Sequence, residues 1–179
     1  MIRTGAELES ERLVLEPLEA SHAHELYAAL LDDRLYRYIP QEPPVSEQAL
    51  RERYGRLEAR QPPDGRELWL NWAMRLSGDA TYIGTLEATI YRDKTAYVAY
   101  MVFPPHQGHG YATEGLRRVL DYLVTAHQAG MIAAQIDTRN AASIAVVERL
   151  GFTRVGTLRD ADFFKGTRSD EYRYELATR

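Results

Sequence analysis

The sequence predicts an α+β (α/β three-layer) fold: a mixed, mostly antiparallel sheet of six to seven strands flanked by helices, with one parallel strand pair near its centre. Three observations lead there. Residues 67–76, 81–91 and 95–103 are apolar and aromatic runs separated by the turn segments Ser77-Gly78-Asp79 and Arg92-Asp93-Lys94, which makes an antiparallel meander. From Thr113 the period changes, and Leu116, Val119, Leu120, Leu123 and Val124 recur at helical spacing, the stripe of a helix lying on a sheet. A short apolar run at 131–136 follows, and a strand, a crossover helix and a second strand make 95–103 and 131–136 parallel neighbours.

The remaining elements follow in order. Leu13-Val14-Leu15 is a first strand that Pro17 helps to end. Ser21 is placed to cap a helix over 22–31, on which His22 and His24 are expected to be exposed, and Ser46 to cap another over 47–59. Between them Pro40, Pro43 and Pro44 lock φ and remove donors, so 38–44 is a loop with aromatic content. Gln61-Pro62-Pro63-Asp64-Gly65 breaks the chain before the meander. After 131–136 come a helix opened by Asn140 and closing strands at 152–158 and 168–176. Trp69 and Trp72, three apart in a strand, point to opposite faces, so at least one belongs to the core.

Between Phe103 and Ala112 the chain reads Phe-Pro-Pro-His-Gln-Gly-His-Gly-Tyr-Ala, a glycine-containing loop between a strand and a helix start. Such a loop aims free backbone N–H groups and the positive end of a helix dipole at one point, which suits a phosphate group. A dinucleotide fingerprint would need glycine at 113, which is Thr, and a P-loop would need Lys after its last glycine, where Leu116 follows Gly115.

What remains, Gln107-x-x-Gly110-x-Ala112, resembles the pyrophosphate-binding motif of the GNAT superfamily of acyl-coenzyme A N-acyltransferases. A second block, Asn140 to Phe152 with Leu150-Gly151-Phe152 at its end, resembles the later GNAT segment and lies at the family's usual distance downstream. The likeness extends more weakly from Glu11-Arg12-Leu13 to Tyr174-Glu175-Leu176, and it is closest to the branch that includes the ribosomal-protein-alanine N-acetyltransferases. The resemblance implies that the two parallel strands splay apart and that the coenzyme's pantetheine arm lies in the V-shaped opening. It assigns pyrophosphate contacts to Gln107, Gly108, His109, Gly110, Tyr111 and Ala112, and pantetheine pairing to Met101, Val102, Phe103 and Asn140. Asn140 also reads as a helix N-cap, and one side chain can serve both.

Amide formation from an acyl thioester needs a neutral amine and a proton for the departing thiolate. Many GNATs supply that proton from a Tyr seven residues after the Asn, but that position is Val147 here. In the ribosomal-protein branch a Ser at the position matching Ser143 is the proposed donor. The alternative for Ser143 is a small residue chosen for close packing, its hydroxyl bonded back into the helix. The position where GNATs often carry a base on the strand before the loop is Tyr97, which is no base near neutral pH. The branch places a Glu ten residues after the Phe of Leu-Gly-Phe, and the count from Phe152 reaches Asp162, one methylene shorter and also readable as a loop residue. Glu87, mid-strand, is the reserve candidate, since a charge there faces water unless it faces a cleft.

The 179 residues fit one domain, taken as 1–179. A net charge of −4 and a pI near 5.8 argue against general nucleic-acid binding, and the absence of Cys removes disulfides and thiol nucleophiles. His106 and His109 lack a third ligand at a recognisable spacing, so no metal is expected. Met1-Ile-Arg-Thr-Gly lacks the apolar stretch of a leader, and no window approaches the roughly 20 apolar residues of a spanning helix, so a cytoplasmic protein without a membrane partner is expected. Three functions stand: an N-acetyltransferase using acetyl-CoA as cosubstrate on a primary amine (a protein N-terminus, an amino acid or a small amine), a transferase of a longer acyl group, and a non-catalytic acyl-CoA-binding module. The acceptor is expected between 34–44 and 160–167, and an aromatic face near Trp69 or Trp72 would serve a homodimer.

Overall fold

The computed structural model describes residues 5–178; the reading of the first residues as lacking a leader lies mostly outside them. Strands β1 (Leu8–Glu9), β2 (Leu13–Pro17), β3 (Glu67–Leu76), β4 (Tyr82–Tyr91), β5 (Thr95–Val102), β6 (Met131–Asp137), β7 (Thr153–Phe164) and β8 (Thr167–Ala177) form one sheet in the order β1-β2-β3-β4-β5-β6-β8-β7. Helices α1 (His22–Leu30), α2 (Glu47–Leu57), α3 (Tyr111–His127) and α4 (Ala141–Arg149) pack on it. The expected six to seven strands become eight because Leu8–Glu9 pairs with Val14 and Leu15, a segment too short to show a period.

Every strand pair is antiparallel except β5 with β6. That ladder runs only from Thr95↔Met131 to Tyr97↔Ala133, while β5 stays paired with β4 as far as Val102 and β6 with β8 as far as Asp137. Beyond Tyr97 and Ala133 the two central strands part, which is the expected splay.

Helices cover both faces of β3 and β4, making three layers. On one face Leu116, Val119 and Leu123 of α3 and Val147 of α4 bury against Trp72, Leu86, Val98 and Ile132; on the other Leu26 and Leu30 of α1 and Leu50 and Tyr54 of α2 bury against Ala73 and Phe103. Double coverage explains why Leu70 to Met74 are all buried and show no alternation. Gly84 sits where β4 meets β5 so closely that a Cβ would lie 2.0 Å from the Met101 carbonyl oxygen.

Several sequence readings change. Trp72 is the core member of the tryptophan pair, its Nε1 donating to the Ala6 carbonyl at 3.0 Å, so it presents no exposed ring, and Trp69 is half-buried with Nε1 donating to Glu67. Ser46 accepts from the Ala49 N–H as a cap should, but Ser21 makes no side-chain cap bond. His22 is buried rather than exposed, whereas His24 is exposed. The Glu19 N–H donates to His22 Nδ1 at 3.0 Å, which leaves Nε2 to donate to Glu16 at 3.1 Å. Asp162 lies in strand β7 opposite Ser169, not in a loop. Among the described residues no helix is long and apolar enough to cross a membrane.

Candidate active site

Two glycines with positive φ, Gly108 (79°) and Gly110 (81°), bend the chain out of β5 and into α3. No side chain caps this helix, and its first intrahelical bond runs from the Glu114 N–H to the Gly110 carbonyl at 3.0 Å. The N–H groups of Tyr111, Ala112 and Thr113 are therefore left for a ligand at the positive end of a helix 17 residues long. The Thr113 hydroxyl is buried without a partner on the same wall.

An arginine far away in sequence holds this loop. Arg12 donates through Nη1 to the His109 carbonyl at 3.1 Å, its guanidinium lies 4.6 Å from the centre of the Tyr111 ring, and its Nε pairs with Glu114 at 2.7 Å. Ser10 donates to the other Glu114 oxygen at 2.8 Å. Burial raises the Glu114 carboxyl, but the bonds from the Arg12 backbone, Ser10 and the Arg12 side chain outweigh it and hold the group below its ordinary range. Sequence reasoning gave Arg12 no role here; its only signal was its place in Glu11-Arg12-Leu13.

The loop forms one end of a cavity of about 490 Å³ that continues along the opening between β5 and α4. Gln107, Gly108, Gly110, Tyr111, Ala112, Asn140 and Ser143 all line it, with Met101 and Val102. Asn140 Oδ1 accepts from the Ser143 N–H at 3.1 Å, the cap interaction expected of it. The Tyr100 hydroxyl, unnoticed in the sequence, donates to the Ser143 carbonyl at 2.8 Å and clasps α4 to β5 across the opening. Burial pushes the Tyr100 phenol up to about 12, so it keeps its proton.

The strand assigned to pantetheine divides by period. The Met101 carbonyl lies against Gly84 and the Phe103 N–H donates to the Ile83 carbonyl at 2.8 Å, so both turn toward β4. By alternation Tyr100 and Val102 turn their backbone groups away from β4 toward the opening, where the Val102 carbonyl accepts from Gln107 Nε2 at 2.8 Å. Phe103 is a correction: its N–H is taken and its side chain is buried under α1 and α2.

On the opposite face a recess of about 210 Å³ lies under α2, and Met101 lines both it and the first cavity. Glu87 lines the recess beside Tyr54 and Asn71. Water reaches the Glu87 carboxylate, yet protein crowds it; that desolvation raises it above the ordinary carboxylate range, with Arg53 opposing weakly. Asp162 lines neither cavity. Of the aromatic candidates for an acceptor pocket, Tyr36 lines the recess and Tyr38 the larger cavity, and neither tryptophan reaches either. The β7–β8 hairpin closes over the expected acceptor side, Lys165 donating to the carbonyls of Tyr36 and Ile39. Among the described residues no group of three His, Asp or Glu is arranged to hold a metal ion.

A family model described as an acetyltransferase (GNAT) domain matches residues 12–153. The chain belongs to the GNAT acetyltransferase family. A Bacillus subtilis protein named as the uncharacterized N-acetyltransferase YoaA is 27% identical over 171 residues, 94% of this chain and 95% of that one. The ribosomal-protein-S5-alanine acetyltransferase of Vibrio fischeri superposes with a TM-score of 0.85 at 19% identity, covering 96% of each chain. The spermidine N-acetyltransferase of Vibrio cholerae, solved with CoA and spermine, superposes with a TM-score of 0.80 at 24% identity, covering 94% of this GNAT chain and 96% of its own. At those identities the two structures bear on the fold of this acetyltransferase and leave its acceptor open.

Proposed function

We propose that this GNAT protein transfers an acetyl group from acetyl-CoA directly to a primary amine. The observation that carries the reading is that Met101 lines both a cavity with an uncapped helix N-terminus and a recess holding a carboxylate. The residues present suit the coenzyme: the N–H groups at 111–113 and the unpartnered Thr113 hydroxyl would hold its pyrophosphate, and the backbone of Tyr100 and the N–H of Val102, whose carbonyl Gln107 occupies, its pantetheine amides.

Acetyl-CoA would supply the thioester, its C–S bond breaking as the amine nitrogen forms the new C–N bond. Glu87 takes the proton that the ammonium must lose, and a carboxylate raised by crowding is better matched to that task than an ordinary one. Asp162, the other carboxylate candidate, faces neither cavity, so Glu87 takes precedence. Ser143 holds the proton needed by the departing sulfur, with Tyr100 as a second proton-bearing hydroxyl at the same opening. The Arg12–Glu114 pair keeps the loop in its anion-ready shape.

The deciding experiment is thiol release from acetyl-CoA across a panel of amines, with longer acyl-CoAs in parallel. Amine-dependent release with acetyl-CoA is expected. Preference for a longer chain would replace the acyl group in this reading, and tight coenzyme binding without release would make the protein a binding module.

A further inference from the structure

The recess under α2 has an uneven charge pattern. Glu87 lines it beside Asn71 and Tyr54, and the arginines Arg53 and Arg56 line it from α2. These arginines stand three apart, so they share one face of the helix, and both are exposed. Neither forms an ion pair among the described residues, whereas Arg51 on the same helix is within 3.7 Å of Glu47. Arg53 acts on Glu87 through space but does not close to an ion pair with it. A carboxylate and two cations are thus held apart around one small space. Leu18, Leu30, Leu50, Leu57 and Met101 add apolar walls, and Glu42 and Gln41 further polar ones.

We propose that the acceptor is a small amino carboxylate with an apolar side chain, an α-amino acid, whose ammonium meets Glu87 and whose carboxylate meets Arg53 and Arg56. The proposal rests on the acetyl-transfer reading above. A volume of about 210 Å³ is below that of drug-sized ligand pockets and suits a molecule of this size. Arginine presents a planar fork of donors that matches a carboxylate, and a free pair of arginines repels the second and third charges of a polyamine. Glu42 also lines the recess, which makes two carboxylates and two arginines; an amino carboxylate, itself neutral overall, suits that balanced set, whereas a polyamine brings only further positive charge to the arginines. A peptide N-terminus places a neutral amide where the free carboxylate would stand and leaves the arginines unanswered.

The test is thiol release from acetyl-CoA with L-methionine and L-phenylalanine, their amides, the matching amines without carboxylate, spermidine and a short peptide. The free amino acids are expected to exceed their amides by about 10-fold or more in kcat/KM, the scale of one charge-assisted bidentate contact. The exposed double variant R53Q/R56Q should lower kcat/KM for the free acids about 10-fold more than for the amides, with the acetyl-CoA dissociation constant and the melting temperature as controls. R53E/R56E should turn the preference toward the amines without carboxylate. Equal or better use of amides, spermidine or the peptide by the native protein, or a preference untouched in both variants, would overturn the assignment while leaving acetyl transfer intact. Release with none of the amines would overturn the transfer reading and this proposal with it.

Discussion

Ser143 of α4 and Glu87 of β4 line two different cavities, and Met101 lines both. If each handles a proton, Ser143→Ala and Glu87→Gln should lower turnover by roughly 10²-fold or more while leaving acetyl-CoA affinity nearly intact by calorimetry. Asp162→Asn should keep most of its activity at neutral pH, and the opposite pattern would move the base to the β7–β8 hairpin. A larger loss in Tyr100→Phe than in Ser143→Ala would assign the sulfur's proton to the phenol. Glu87 also sets a pH dependence. Its working form is the carboxylate and crowding raises its titration, so kcat/KM should climb with pH through a limb above the ordinary value of 4.5. Glu87→Gln should remove that limb and shift the activity toward higher pH, where the amine deprotonates unaided.

At the scale of the element, two glycines make opposite demands. Gly110 has a φ of 81° at the start of α3, a conformation a β-branched residue adopts only under strain, and nothing but the end of the Arg12 side chain lies within 4 Å of its Cβ position. Gly110→Val should weaken acetyl-CoA binding by about 1–2 kcal/mol or more by calorimetric titration. Gly84 lines neither cavity, but a Cβ there meets the Met101 carbonyl at 2.0 Å and forces β4 from β5. Gly84→Ala should cost about 3 kcal/mol in denaturant unfolding, the upper range for overpacking. An unchanged dissociation constant in the first variant would remove the phosphate reading of the loop. A two-state midpoint near that of the native protein in the second would show that the strands yield more easily than their contact implies.

Across the whole molecule, Glu16 ties four elements together. It accepts from Arg75 of β3 at 2.7 Å, Tyr82 of β4 at 2.6 Å and His22 of α1 at 3.1 Å, while itself belonging to β2. Burial alone would raise its carboxyl, but the three hydrogen bonds outweigh that and lower it from 4.5 to about 2. The folded carboxyl therefore holds its proton less tightly than the unfolded one, and protonation favours unfolding. The stabilisation is present above about pH 4.5 and lost as the pH falls through about 2; it amounts to on the order of 2–3 kcal/mol. Glu16→Gln should be less stable at neutral pH and should lose less stability on acidification, as read by urea midpoints at pH 7, 4 and 3. Parallel loss in both proteins would place the acid sensitivity elsewhere.

What can be read along the chain is local. The meander at 67–103, the helix stripe from Leu116, the loop at 107–112 and the cap at Asn140 all follow from spacings of a few residues. Where local order was weak, the reading fell short: β7 extends to Phe164 because shifts of register at 154–156 and 158–162 erase its alternation, and β1 is two residues long. Which polar groups meet depends on the folded chain. Arg12 reaches Glu114 across 102 positions, Tyr100 reaches Ser143 across 43, and Phe103 turns its N–H to β4 while Val102 faces the opening. The fold also puts Glu87 in the wall of the recess and leaves Asp162 outside both cavities, a difference of place that no spacing along the chain shows. Periodicity depends on neighbours within one turn or one pleat, whereas a carboxyl's readiness to take a proton depends on how much protein surrounds it, and that is set by segments that meet only when the sheet closes and the helices cover it.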